Sequence, residues 1–419
     1  MSGALQHQVD SRYAMWRLAV TLLIMTVGSS GMYVVSVVLS AVQADFGVAR
    51  AEASLPYTLL MIGFGLGGVV MGKLADRFGV MWPLLAGAVC VGLGYIASSF
   101  ATGILAFSLV QGALVGLGSG AVFAPLVADT SLWFVKRRGV AVAVCASGNY
   151  VAGAVWPPIV QMFVEQAGWR ATYLGLGLFC GLAMAGLALF MRARPPAMVM
   201  AAAPHAAADG PVAMSTLRPF GLSLGAAQGL LCVAGVACCV AMSMPQVHIV
   251  AYCTDLGYGA ARGAQMLSLM LACGIVSRLV SGAICDRIGG LRTLLLGSVL
   301  QCAALFLFLP FDGMVPLFVV SAMFGLFQGG IVPSYAIIVR EHFPPAEASA
   351  RVGTIIGCTL LGMALGGWMS GKVFDLTGSY HAAFVNGIAW NLLNMTIAVT
   401  LLLRARGKVG HHALSQRAT

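Results

Sequence analysis

The sequence predicts an all-α membrane protein, with twelve transmembrane helices in two pseudo-symmetric six-helix bundles. Three observations carry that prediction. Of 419 residues, 60% are hydrophobic and 9% charged, against about 25% charged in a soluble domain. The apolar residues fall in blocks that match a bilayer core of ~30 Å, which about 20 helical residues cross. An eight-residue pattern also returns 210 residues further along, at the same place relative to its blocks.

The first block, near 15–42, follows Arg12 and Arg17. It is too long for the apolar core of a secretion leader and lacks a small-residue cleavage site after it, so it reads as a span. The second lies near 53–75, the third near 80–100 and the fourth near 102–129, where Gly112-x-x-x-Gly116-x-x-x-Gly120 offers a small-residue face for close helix contact. The fifth and sixth, near 139–164 and 170–192, flank Gly168. Residues 194–218 run from Arg194-Pro195-Pro196 through an Ala-rich stretch to Arg218-Pro219 and read as a flexible linker. Six more blocks follow, near 221–252, 260–284, 290–309, 314–340, 349–371 (with Gly362-x-x-x-Gly366) and 382–404. The expected units are an N-terminal bundle over 1–193, the linker, and a C-terminal bundle with its tail over 219–419. A β-barrel would show alternating segments of about ten residues, and the chain has none.

The net charge of +10 does not indicate a nucleic-acid partner, because its placement is topological. Of 23 Lys and Arg, only Arg50, Arg170, Arg262 and Lys372 fall in one set of loops; Arg278 lies inside a block and the other eighteen fall in the opposite loops and tails. The positive-inside rule puts that rich set in the cytoplasm, and with it both termini. The expected location is the plasma (inner) membrane. The 11 cysteines are scattered through apolar blocks without a C-x-x-C pair, and read as reduced small hydrophobes.

The repeated pattern is Gly72-Lys73-Leu74-Ala75-Asp76-Arg77-Phe78-Gly79 and Gly282-Ala283-Ile284-Cys285-Asp286-Arg287-Ile288-Gly289. Gly168 recurs as Gly378 at the same offset, and Gly148 and Gly153 recur as Gly357 and Gly362 one residue short of it. Duplication of a six-helix unit explains all of these. The octet resembles the G-x-L-x-D-R-x-G loop signature of the major facilitator superfamily, in two copies in register. The resemblance implies that superfamily's fold and secondary transport by alternating access, with no cofactor and no metal. It marks Gly72, Asp76, Arg77, Gly282, Asp286 and Arg287 as gating residues. Asp76 and Asp286, near basic groups and helix ends, can hold two halves together in one conformation and release them in another.

A narrower resemblance covers nearly the whole chain. Residues 133–149, from Trp133-Phe134-Val135-Lys136-Arg137-Arg138 to Gly148-Asn149, look like the fifth-helix motif of the monocarboxylate transporters, with Trp133 for its Tyr and Val142 for a Gly. Val247-His248-Ile249-Val250-Ala251-Tyr252 with Asp255-Leu256-Gly257 looks like the seventh-helix exit of that family and of the related oxalate/formate exchangers. Arg278-x-x-x-Gly282 resembles their eighth-helix arginine motif, and Phe374-Asp375-Leu376-Thr377-Gly378-Ser379-Tyr380 their loop between helices 11 and 12. The chain departs from them at three places. Gly274 stands where animal monocarboxylate transporters carry an Asp, the first block has Tyr33 but no lysine, and the eleventh has no interior lysine where the oxalate exchangers do. A single fixed cation suits one carboxylate and favours a monoanion over oxalate.

Arg278 is accordingly the expected carboxylate receptor. An arginine at membrane depth costs at least ~2.5–3.5 kcal/mol and normally faces a cavity or a partner, and no mid-span acid is there to pair it. Tyr335, Asn149, Tyr33 and Asn386 offer neutral hydrogen bonds for substrate or for helix packing. His248 and Asp255 are candidate proton carriers, as is the substrate itself. The expected partners are a small monocarboxylate of the lactate or pyruvate class, a proton and the lipid bilayer, with the chain monomeric. The competing expectation is an oxalate/formate-type anion exchanger. A membrane enzyme or redox subunit would need paired helix-borne ligands, and His248 is the only histidine well inside a block. Gly63-x-Gly65-x-x-Gly68 and Gly67-x-x-x-x-Gly72-Lys73 imitate nucleotide loops, but the first lies inside an apolar block and the second has Leu74 where Ser or Thr is required.

Overall fold

In hydrocarbon an unpaired backbone amide costs several kcal/mol, so a spanning chain closes its hydrogen bonds within helices. The computed structural model, which describes residues 9–194, 219–344 and 347–415, is built on that rule. The linker expected over 194–218 therefore lies outside the described residues except for Arg194, as does the end of the tail. The first helices are α1 (Arg12–Val37), α2 (Arg50–Phe78), α3 (Met81–Ser99) and α4 (Ile104–Trp133). The next helical run, Arg138–Leu189, is two helices, because Gly168 breaks it at φ 79°, ψ 162°; we call them α5 (138–167) and α6 (169–189). Then come α7 (Leu224–Asp255), α8 (Ala260–Ile288), α9 (Gly290–Leu307), α10 (Met314–His342), α11 (Ala350–Thr377) and α12 (Tyr380–Ala405). With the break at Gly168 counted, the described residues form twelve apolar helices.

The repeat has a backbone cause. Gly79 and Gly289, which end the two octets, sit at φ 90° and 82°; Gly168 and Gly378 sit at 79° and 68°. A Cβ is costly in that region, so the corners joining α2 to α3, α8 to α9, α5 to α6 and α11 to α12 require glycine.

Small residues also set how closely helices approach. A Cβ on Gly116 of α4 would lie 2.5 Å from the Leu60 carbonyl oxygen of α2, and one on Gly112 would lie 2.9 Å from that of Leu59. On α11, a Cβ on Gly362 would lie 2.5 Å from the Val236 oxygen of α7. The glycine run in α4 has a cost that the sequence did not suggest: the helix widens to a π turn over Gln111–Gly116 and tightens to a 3-10 turn over Gly120–Val122. Gly63, Gly65 and Gly68 lie inside α2, where Gly63 rests on the Gly112 backbone. The outer surface carries Leu66, Leu105, Leu182 and Val315 at 61–74% exposure, the face of a multi-pass membrane protein toward lipid.

The first six helices meet the last six chiefly along two seams, α2 with α11 and α5 with α8, with a smaller contact between α1 and α7. Both seams begin at the cation-poor end, the one carrying Arg50, Arg170, Arg262 and Lys372. On α2–α11, Asp375 accepts from the backbone N–H groups of Arg50 (2.9 Å) and Ala51 (2.8 Å). Next, Thr58 Oγ1 donates to the Ala364 oxygen at 3.0 Å, and a Cβ on Gly65 would lie 3.3 Å from Leu360. Beyond that, Gly68 and Gly72 of α2 and Gly357 and Gly353 of α11 continue the same faces, yet a Cβ on any of them would meet no described atom within 4 Å. The α5–α8 seam behaves alike. Its contacts run from Ser268 on the Ala154 oxygen to Arg278 on the Ala146 oxygen, after which Gly139 and Gly282 face open space. The halves touch at the cation-poor end and at mid-depth, and part toward the cation-rich end.

Candidate functional site

The α5–α8 seam brings its polar groups together by helical spacing. Ala146, Asn149, Tyr150 and Gly153 fall three, four and seven residues along one face of α5, and Leu271, Gly274 and Arg278 along one face of α8. Arg278 Nη1 donates to the Ala146 oxygen at 3.1 Å. Its guanidinium carbon lies 4.4 Å from the centre of the Tyr150 ring. Its Nε is buried without a hydrogen-bond partner, and the cation has no acid partner among the described residues.

Magnitudes explain how it stays there. A desolvated cation–π contact contributes about 2 kcal/mol and a hydrogen bond from a charged donor about 1.5–3 kcal/mol. Together these offset the lower estimates for placing an arginine at membrane depth, ~2.5–3.5 kcal/mol. They do so without neutralising it. A ligand carboxylate would supply the missing charge and match the fork of N–H donors.

Beside it, Tyr33 donates to Asn149 Oδ1 at 2.6 Å, and Asn149 Nδ2 reaches only the thioether of Met32, at 3.1 Å. Tyr33, Asn149 and Arg278 are thus gathered from α1, α5 and α8. Tyr335 and Asn386 are not. The Tyr335 hydroxyl, fully buried, donates to Asn394 at 3.1 Å, and Asn394 donates to Ser298. That places Tyr335 in a polar cluster that ties α10 to α9 and α12, away from the seam. Asn386 lies on α12 with its Nδ2 buried and unpartnered, and no contact joins it to the Arg278 group.

A second group closes the cation-poor end, and the sequence reading missed its centre. Arg50 reads as one of four loop cations, yet it is 6% exposed. It donates through Nη2 to Asp255 at 3.2 Å and through Nη1 to the Tyr380 hydroxyl at 2.8 Å, and it lies 4.8 Å from the Phe374 ring centre. His248, also fully buried, places Nε2 2.8 Å from the Gly367 oxygen and Nδ1 3.1 Å from the Tyr380 hydroxyl. A carbonyl oxygen only accepts, so Nε2 carries the proton. Nδ1 then accepts from Tyr380, whose oxygen receives Arg50. The chain of bonds is satisfied with a neutral imidazole. The two proton candidates, His248 and Asp255, thereby fall in one hydrogen-bonded group that spans both halves. One signal was available: Asp375 and Tyr380 belong to the quoted motif between helices 11 and 12, and a motif with an exposed acid at a cation-poor end invites a cationic partner.

At the other end the octet residues are apart. Asp76, Arg77, Asp286 and Arg287 are exposed, and none takes part in an ion pair among the described residues. Arg17 is a second cation misread as a loop residue: it is 2% exposed and pairs with Asp129 of α4 at 2.9 Å, under the Trp133 ring at 4.7 Å. The aromatic at 133 is therefore the cover of a buried ion pair within the first six helices.

The chain is similar to known proteins in sequence and in fold. The family model of the major facilitator superfamily matches residues 21–315 and 230–417. Monocarboxylate transporter 13 of Rattus norvegicus is 27% identical over 367 residues, covering 83% of this chain and 78% of that protein. The MFS-type transporter YhjX of Escherichia coli is 25% identical, covering 81% and 83%. Among solved structures, a bacterial homologue of the human lysosomal transporter Spinster, inward-facing and occupied, superposes with a TM-score of 0.70 at 13% identity, covering 94% of this chain and 97% of that one. The nucleoside transporter NupG does so at 0.69 and 14% identity. These two share the fold.

Proposed function

The chain belongs to the major facilitator superfamily, and on that premise we propose that it is a secondary active carrier of small monocarboxylates of the lactate or pyruvate class, moved with a proton by alternating access. The observation that carries this reading is Arg278, a cation without an acid partner, held at the seam between the halves, where carriers bind their substrates. The similarity to monocarboxylate transporters agrees with it. The cation-rich end is cytoplasmic in this reading, so the arrangement described is inward-open with its outer end closed.

In this reading the outer group supplies the proton coupling. Protonating Asp255 removes the charge that holds Arg50, and protonating His248 sets a second cation against the Arg50–Tyr380 link. Either event weakens the closure, so acid outside favours opening to the outside. The released carboxylate carries its own need for a proton: an anion entering alone against an inside-negative potential is opposed by ~2.3 kcal/mol per 100 mV, and a co-transported proton removes that term.

The test is uptake of labelled lactate or pyruvate in proteoliposomes with an imposed pH gradient and no membrane potential. Symport predicts accumulation when the outside is acidic and collapse on adding a protonophore. Uptake that ignores pH and requires a carboxylate on the opposite side would establish an oxalate/formate-type exchanger instead.

A further inference from the structure

Position 274 precedes Arg278 by one helical turn, on the same face of α8. A Cβ there would stand 2.5 Å from Cε1 and 2.6 Å from Cδ1 of Tyr150. The room that a side chain at 274 would take is therefore already filled, by a ring that crosses from α5. The same ring covers one face of the Arg278 guanidinium, 4.4 Å from its carbon, and Tyr150 is itself 7% exposed. Nη1 is engaged by the Ala146 oxygen. Nε is buried and unpartnered, so the edge that includes it is the one with a donor still to satisfy.

We infer that Tyr150, seated in the notch left by Gly274, is a specificity-determining residue of the site. This rests on the carboxylate reading above and deepens it. A carboxylate that pairs with this unsatisfied edge lies in the guanidinium plane. Its substituent leaves along that plane, and anything that rises from it on the covered side meets the Tyr150 ring. The site therefore takes compact monocarboxylates, flat or unbranched next to the carboxylate, and turns away those with bulky groups. Tyr150 also explains the missing acid. An Asp at 274 would collide with the ring and neutralise Arg278, so ring and glycine are a matched pair: aromatic wall in place of internal counter-ion.

The experiment measures binding of pyruvate and phenylpyruvate to the purified carrier, in wild type, Tyr150→Ala and Tyr150→Phe. Wild type and Tyr150→Phe prefer pyruvate, while Tyr150→Ala shifts the ratio toward phenylpyruvate by about tenfold or more, the discrimination expected of a small change in pocket size. Tyr150→Ala that binds pyruvate with the wild-type ratio overturns the inference. If the wild type binds neither acid, the carboxylate reading itself falls, a distinct outcome from an unshifted ratio. The notch is tested separately by thermal unfolding. Gly274→Ala lowers the unfolding temperature of the wild type but not of Tyr150→Ala, and additive losses would overturn the pairing.

Discussion

Arg50 of α2 and Asp255 of α7 form an ion pair across the two halves, 3.2 Å long, and it is the only pair of opposite side-chain charges joining them among the described residues. Arg50 is the hub of that end. Its side chain also reaches Tyr380, and its backbone N–H is held by Asp375. Gly371 lets the backbones come this close, since a Cβ there would lie 2.9 Å from the Arg50 oxygen.

Removing the hub should open that end. Arg50→Ala leaves Asp255 without its partner and deletes the link to Tyr380. In a cysteine-free background, a cysteine replacing the fully buried Val247 should then react with an impermeant thiol reagent several-fold faster from the cation-poor side. Unchanged reactivity would show that the seam is closed by packing alone.

The acid partner is testable at fixed pH. Asp255→Asn removes the charge that holds Arg50 and should raise the reactivity of Val247→Cys from the cation-poor side several-fold. Reactivity equal to that of Val247→Cys alone would show that the charge of Asp255 plays no part in the closure.

The buried pair of Arg17 and Asp129 is a matter of stability. Removing one partner leaves an uncompensated buried charge, at a cost of about 3–5 kcal/mol. Asp129→Ala should lower the unfolding temperature markedly. Replacing both, Arg17→Met with Asp129→Ala, should recover much of the loss, and a double variant as unstable as the single one would show that the pair is not the cause.

The fold was legible because its determinants are local or periodic: block length gives the spans, and the glycines at 79, 168, 289 and 378 mark corners that need positive φ. The break inside Arg138–Leu189 could be read from Gly168 alone. The site was half legible. Arg278 stands out because a cation inside an apolar block is costly, and Tyr33 and Asn149 stand out only as polar groups within blocks, their place beside it being set by tertiary packing. Arg17 and Arg50 were not seen, because a cation near a block's end looks like a loop charge until tertiary packing buries it. The partner of Tyr335 was not legible for the converse reason: a buried hydroxyl satisfies itself on whichever helix it faces, here α12 through Asn394, and the sequence does not say which.

Orientation is tested directly by reporters. A reporter fused after Thr419 and one inserted within 194–218 should both read as cytoplasmic, as the cation asymmetry requires. An external signal from either would reverse the assignment of inward- and outward-facing ends.

Arg278 is the residue on which the proposed carboxylate binding depends. The decisive measurement is binding of pyruvate to purified wild type and to Arg278→Gln, both checked as folded and monodisperse in detergent. Wild type should bind and Arg278→Gln should not. Arg278→Lys should be poor as well, because an ammonium is a point charge without the fork that fits a carboxylate. Pyruvate binding of wild-type strength by Arg278→Gln would contradict the assignment of this cation as the carboxylate receptor.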